Sequence, residues 1–185
     1  MSRGKSAALK NSSRKQKMMD NRYAGNDNVA KLIRSVMVDG KSSIARAIVY
    51  EAMAEATLKM PKFVDLPEHN DVREKESLML DKVIEIITPR VEVKSRRVGG
   101  ANYQVPMMVN RDRGRTLALR WIVDAARSRK EGKPMSVKLT REFLDALEGK
   151  GGALNRKETQ DKMASANRAN ANLVRRDQPQ KDKSE

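Results

Sequence analysis

Apolar side chains in this 185-residue chain keep helical spacing from Val29 to Ile87, alternate with polar ones between Val91 and Val109, and return to helical spacing from Leu119 onward. That single change of period leaves few architectures open. The alternating stretch is long enough for two strands, and two strands alone are marginal in water. The core must therefore be helix on helix, with one antiparallel ribbon attached to it.

The helices can be placed from their stops and stripes. Asn26 and Asp27 are cap residues for a first helix carrying Val29, Leu32, Ile33, Val36 and Met37 on one side, stopped by Gly40. Ser42 and Ser43 precede a second, in which Ile44, Ala47, Ile48, Ala52 and Ala56 repeat up to Pro61. A loop with two prolines and the only histidine leads to a third helix, which turns Leu80, Val83, Ile84 and Ile87 inward before Pro89. After the alternating segment, a fourth helix begins near Arg113 to Arg115 and carries Leu119, Ile122, Val123 and Ala126, with Trp121 beside them. Gly132 and Pro134 end it. Ser136 is the expected cap of a fifth helix striped by Leu139, Phe143, Leu144 and Leu147, and Gly149, Gly151 and Gly152 follow as a flexible joint. The run from Asn155 to Arg176 has helical propensity but offers chiefly Met163, Ala166, Ala169 and Leu173, so it predicts a weakly anchored sixth helix. The expected fold is mainly α: one domain of about six helices with a two-stranded antiparallel β-ribbon between helices three and four. Residues 1–25 form a basic arm, 26–176 the helical domain with its ribbon at 90–110, and 177–185 a polar tail.

Charge says what such a domain meets. The chain holds 39 Lys and Arg against 24 Asp and Glu, a formal +15, which draws it to polyanions: nucleic acid first, an anionic membrane second. No apolar run approaches the roughly 20 residues of a membrane span, and no signal-peptide core follows the basic start. The absence of cysteine excludes disulfides, thiolate metal sites and thiol nucleophiles together. The positive charge is localised. Residues 1–22 carry seven basic groups against one acid, whereas residues 41–89 carry seven against nine. The first of these segments suits a nucleic-acid-binding arm, a solvated terminus or a transit peptide.

Between positions 90 and 115 stand seven basic residues, Arg90, Lys94, Arg96, Arg97, Arg111, Arg113 and Arg115, against only Glu92 and Asp112. Guanidinium forks match phosphate oxygens, and the bare backbone at Gly99-Gly100 allows close approach of a nucleic acid. On the fourth helix Arg113, Arg120 and Arg127 recur every seven residues, and with Arg129 they extend the ribbon's charge; a salt-bridged surface around Asp124 is the alternative. Pro106 suits only an edge strand, so the ribbon either projects or leans on the helices. Catalytic signals are thin. Glu68, His69 and Asp71 are the one group with metal-ligand chemistry, in what reads as a solvated loop. No cofactor and no metal are expected, and the chain reads as a binding protein and not an enzyme. A DNA-bending protein with basic ribbon arms is the rival to an RNA binder.

The string VEVKSRRVGGANYQVPMMV at 91–109 resembles the hairpin of the small ribosomal subunit protein seven family, bacterial and organellar type. The resemblance continues through RGRTLALRWIVDAARSR, GKPMSVKLTREFLDA and NRKETQDKMASANRANA, and upstream in VMVDGKSSIARAIVYEA. It implies a six-helix body with a protruding ribbon, and a structural constituent of the small subunit that binds rRNA and nucleates assembly of the head. It further implies a place near the mRNA exit and the exit-site tRNA, beside small-subunit proteins nine and eleven, on a bacterial cytoplasmic or organellar ribosome. Lys41 joins Arg90, Lys94, Arg96, Arg97, Arg111, Arg113, Arg115 and Arg120 as implied rRNA contacts. Val98, Gly99, Gly100, Tyr103 and Gln104 form the ribbon tip expected near tRNA and mRNA. The chain departs from the family pattern at Ser42, where a second Lys is usual, and at ANANLVRR, where the last helix usually ends in aromatics.

Overall fold

Asn26 lies in extended backbone, and its side-chain oxygen accepts the Asn28 amide at 2.9 Å, satisfying one of the orphan donors of a helix start. This cap opens α1 (Asp27–Val36) in the computed structural model, which describes residues 21–23, 26–60 and 71–177. Then come α2 (Ser42–Lys59) and α3 (Val72–Ile87), strands β1 (Val91–Val98) and β2 (Ala101–Met108), and α4 (Arg111–Ser128), α5 (Met135–Leu147) and α6 (Gly152–Ala166). A 3-10 turn at Asn21–Tyr23 precedes them, and a 3-10 segment at Arg168–Asp177 follows. The fold is mainly α, a single domain with an antiparallel ribbon between the third and fourth helices, as the change of period predicts. Most of the basic arm, the Pro-bounded loop and the polar tail lie outside the described residues. Among those described, no helix is long and apolar enough to cross a membrane.

The stripes of α1, α3 and α4 face the core as expected: Val29, Leu32, Ile33 and Val36; Leu80, Val83, Ile84 and Ile87; Leu119, Ile122, Val123 and Ala126 are all buried. On α5, Leu139, Phe143 and Leu147 are buried, while Leu144 is only half-buried. Helix α2 departs from expectation. Ile44 is 57% exposed and Ala47 is exposed; the buried stripe is Ala45, Val49, Ala52, Met53 and Ala56. Both stripes have helical spacing, and the smaller one wins because it lets α5 come close. At this contact the Thr140 hydroxyl reaches the Ala52 carbonyl (3.4 Å) and the Glu55 carboxylate (3.2 Å).

Helix starts shift where backbone geometry overrides cap chemistry. Helix α4 begins at Arg111, before Arg113. Pro134, not Ser136, occupies the N-cap of α5, since its fixed φ is already suited to that place; Ser136 is buried inside the first turn. Ser42 is the first residue of α2 and not its cap, and Lys41 stands before it without a side-chain cap bond. The run 155–176 is not one helix: α6 ends at Ala166, where the Asn167 side chain donates to the Met163 carbonyl at 2.9 Å, and the chain continues as 3-10 turns. Met163 and Ala166 are exposed, and α6 instead buries Ala153 and Ala164.

The glycine joint is a close-packed crossing. Gly151 has φ of +103°, and a Cβ there meets Glu142 Oε1 at 3.0 Å; one on Gly152 meets the Ala125 side chain at 3.1 Å. Glu142, 1% exposed, accepts the Ala153 amide at the start of α6 (2.8 Å) and the Arg129 guanidinium from α4 (2.7 Å). Burial opposes the charge on Arg129, and the hydrogen bonds from Glu142 and Asp145 overcome it, holding its pKa above the usual guanidinium value.

Tyr23 belongs to the core, although the charge of its segment gives no hint of it. It is 4% exposed, its hydroxyl donates to the buried Glu76, and its ring lies 5.4 Å from that of Tyr50, over which Arg22 sits at 4.6 Å. Burial first, and the Glu76 bond second, push its pKa well above the ordinary phenol value.

Candidate nucleic-acid interface

Gly99 and Gly100 have φ of +58° and +90°, the pair of positive angles that a two-residue type I′ hairpin turn requires. The turn sets the register Val98 with Ala101, Arg97 with Asn102, Arg96 with Tyr103, and so down to Val91 with Met108. Residues paired across the ladder share a face. One face thus carries Glu92, Lys94, Arg96, Val98, Ala101, Tyr103, Val105 and Met107; the other carries Val91, Val93, Ser95, Arg97, Asn102, Gln104, Pro106 and Met108. Both faces mix apolar and charged groups, because Val91 and Val93 of β1 lie on the side opposite Tyr103, Val105 and Met107 of β2. The ribbon leans on the body: α6 packs along β1 and the 3-10 segment along β2, where the Asn170 side chain donates to the Gln104 carbonyl at 3.0 Å. Val105 is fully buried, while the tip remains open, with Gly99, Gly100 and Gln104 exposed and Tyr103 40% exposed.

The base of the ribbon is fixed differently. The Val109 amide donates to the Arg90 carbonyl at 3.0 Å, extending the ladder beyond the strands. Gly114, in the first turn of α4, abuts this junction; a Cβ there meets Thr88 Cγ2 at 2.8 Å. Beside it Arg113 donates to both oxygens of Glu92, at 2.8 and 3.3 Å. Lys94 adds a contact to the same carboxylate at 3.5 Å. The Arg113 hydrogen bond pulls the Glu92 pKa below the usual carboxylate value.

The basic residues fall into two groups. Arg90, Arg97, Arg111, Arg120 and Lys41 are exposed, Arg115 is half-buried, and none of them has an ion pair or side-chain hydrogen bond among the described residues. Arg96 is half-buried and interacts within the chain. The others serve the fold. Arg127 donates to the Ser35 and Val36 carbonyls, both at 3.2 Å, closing the C-terminus of α1. Arg129 is held by Glu142, Asp145 and Glu131. Asp124 pairs with Arg156 of α6 at 2.9 Å and with no arginine of α4. Of the helical arginines expected to extend the patch, the structure leaves Arg120 alone without such a partner.

Lys41 follows a turn in which Asp39 and Gly40 both have positive φ, and it precedes an α2 first turn that holds no acid. Of the acidic-loop group, Glu68 and His69 lie outside the described residues, and Asp71 caps α3 by accepting the Arg73 amide. Among the described residues no group of three His, Cys, Asp or Glu is placed to hold a metal.

Residues 7–168 match the family described as ribosomal protein S7p/S5e. The chain belongs to that family. The small ribosomal subunit protein uS7 of Francisella philomiragia subsp. philomiragia is 44% identical over 145 residues, spanning 78% of this chain and 85% of that protein. Those of Francisella tularensis subspecies holarctica and novicida are 45% and 44% identical over the same shares. For this member of the S7p/S5e family, three positions that hold the ribbon against the body escape a sequence reading: Glu92, Gly114 and Asn170. The only available signal is at Glu92, the one acid on β1 beside Lys94, Arg96 and Arg97.

Proposed function

We propose that this S7p/S5e-family chain is a structural constituent of the small ribosomal subunit: a primary rRNA binder that nucleates assembly of the subunit head. In this reading it lies near the mRNA exit and the exit-site tRNA, beside small-subunit proteins nine and eleven, on a bacterial cytoplasmic ribosome. Its relatives are small-subunit proteins by name. The observation that carries the reading is the sorting of charge: among the described residues Arg90, Arg97, Arg111 and Arg120 are exposed without carboxylate partners, while neighbouring arginines are satisfied within the fold. Free guanidinium groups on a rigid helical platform neutralise phosphates without first breaking an internal pair. The ribbon tip of Val98, Gly99, Gly100, Tyr103 and Gln104 is the proposed neighbour of tRNA and mRNA. Assembly, not turnover, is the function.

The rival DNA-bending reading needs a ribbon free to embrace a duplex, and here α6 and the 3-10 segment lie along it. A competition assay at one near-physiological salt concentration tests the choice, using the small-subunit head-domain rRNA, an unrelated structured RNA and duplex DNA. Preference for the head-domain RNA by a factor of ten or more is expected, in line with the order of ~10³ that separates specific from non-specific sites. Equal binding to all three would contradict the proposal.

A further inference from the structure

A two-stranded ribbon has no neighbouring sheet to fix its angle. Eight residues of strand extend about 26 Å at roughly 3.3 Å each, so a tilt of about 10° at the base carries the tip some 4 Å, beyond the tolerance of a hydrogen bond. Whatever sets that angle spares the free energy of bringing the tip onto its phosphates, without changing how many it meets. Helix α6 and the 3-10 segment support the strands along their length, and the base adds the Gly114 notch against Thr88, the Arg90–Val109 hydrogen bond, and the two-pronged Arg113–Glu92 pair linking α4 to β1. Glu92 is the least exposed partner, its side chain 16% exposed against 44% for Arg113. The carboxylate occupies both the Nε and Nη2 donors of Arg113, the edge with which a guanidinium grips phosphate.

We propose that Arg113 is a positioning residue for the ribbon and not a phosphate contact, and that Glu92, an acid on a basic strand, supports RNA binding by holding it. The inference rests on the RNA-binding reading above. It runs against simple electrostatics, in which removing an acid from a basic patch strengthens RNA binding.

The test measures affinity for the head-domain rRNA across a salt series for the wild type, Glu92→Gln, Arg113→Ala, their combination, the exchange Glu92→Arg with Arg113→Glu, and Arg97→Ala as a control. Urea midpoints establish that each variant is folded. Glu92→Gln and Arg113→Ala are each expected to weaken binding about tenfold, with the combination no weaker than either alone and the exchange recovering most of the loss. Neither single variant should alter the salt slope, whereas Arg97→Ala should lower it by about 0.7. Tighter binding by Glu92→Gln, or a lowered slope in Arg113→Ala, would overturn the proposal while leaving the RNA reading in place. A wild type with no salt-dependent RNA binding would remove both. Glu92→Gln is close in shape to the native residue, so the decisive arm survives even if the exchange does not fold.

Discussion

At the scale of single residues, the sharpest constraint is Gly114. The methyl group it lacks has no free space, because the facing Thr88 Cγ2 belongs to a β-branched side chain whose hydroxyl is already bonded to the Ile84 carbonyl at 2.6 Å. Thr88 therefore resists turning aside. Gly114→Ala is expected to lose about 1–3 kcal/mol, the usual range for overpacking a tight contact, despite the better helix propensity of alanine. Urea denaturation measures it; an unchanged or raised stability would mean that the junction yields. The residue scale is also where sequence reads least well. Arg113, Arg120, Arg127 and Arg129 are the same letter on one helix and its C-cap, yet one grips Glu92, one closes the end of α1, one fills a carboxylate cluster, and only Arg120 has no ion pair or side-chain hydrogen bond among the described residues. Apart from Glu131 beside Arg129, their partners lie 13 to 92 positions away in the chain, and no spacing rule reaches that far.

Among elements, the crossing of α5 and α6 connects the core to the ribbon. Helix α6 buries only Ala153 and Ala164, so packing alone anchors it weakly, and the Glu142 carboxylate does for its start what a local cap normally does. Glu142→Ala removes that cap and takes one carboxylate from Arg129, leaving Asp145 and Glu131. Stability should fall by about 3 kcal/mol, the lower end for breaking a buried pair. Because α6 lies along β1, amide exchange should quicken in the ribbon before it does in α1 or α3. Uniform acceleration across all helices would refute that coupling. The elements themselves were largely legible: periods of 3.6 and 2, with Gly and Pro as punctuation, located the first five helices and the hairpin, while the sixth, read at 155–176, lies at Gly152–Ala166. The facing of α2 was not legible, since Ile44 and Ala45 both begin helical stripes and only the approach of α5 chooses between them. Nor was the α5–α6 joint, because glycines placed for tight packing read like glycines placed for freedom. Tyr23 was hidden by the company it keeps, a lone aromatic at the end of a basic segment.

For the whole molecule, the chain's +15 is unevenly spread, with the 41–89 stretch slightly acidic and the 90–115 stretch strongly basic, which marks the latter as the polyanion-seeking part. The helices hold the ribbon in place, and in the proposed function Arg97 of the ribbon and Arg111 at the start of α4 are the cations that meet RNA. The measurement that tests this most directly is the slope of log K against log salt concentration for head-domain rRNA, compared between the wild type and the Arg97→Ala, Arg111→Ala double variant. Two lost phosphate contacts should flatten the slope by about 1.4, at roughly 0.7 each for single-stranded RNA, with the urea midpoint unchanged because neither side chain has an internal partner among the described residues. An unchanged slope would contradict the account, placing the RNA somewhere other than the ribbon and the start of α4.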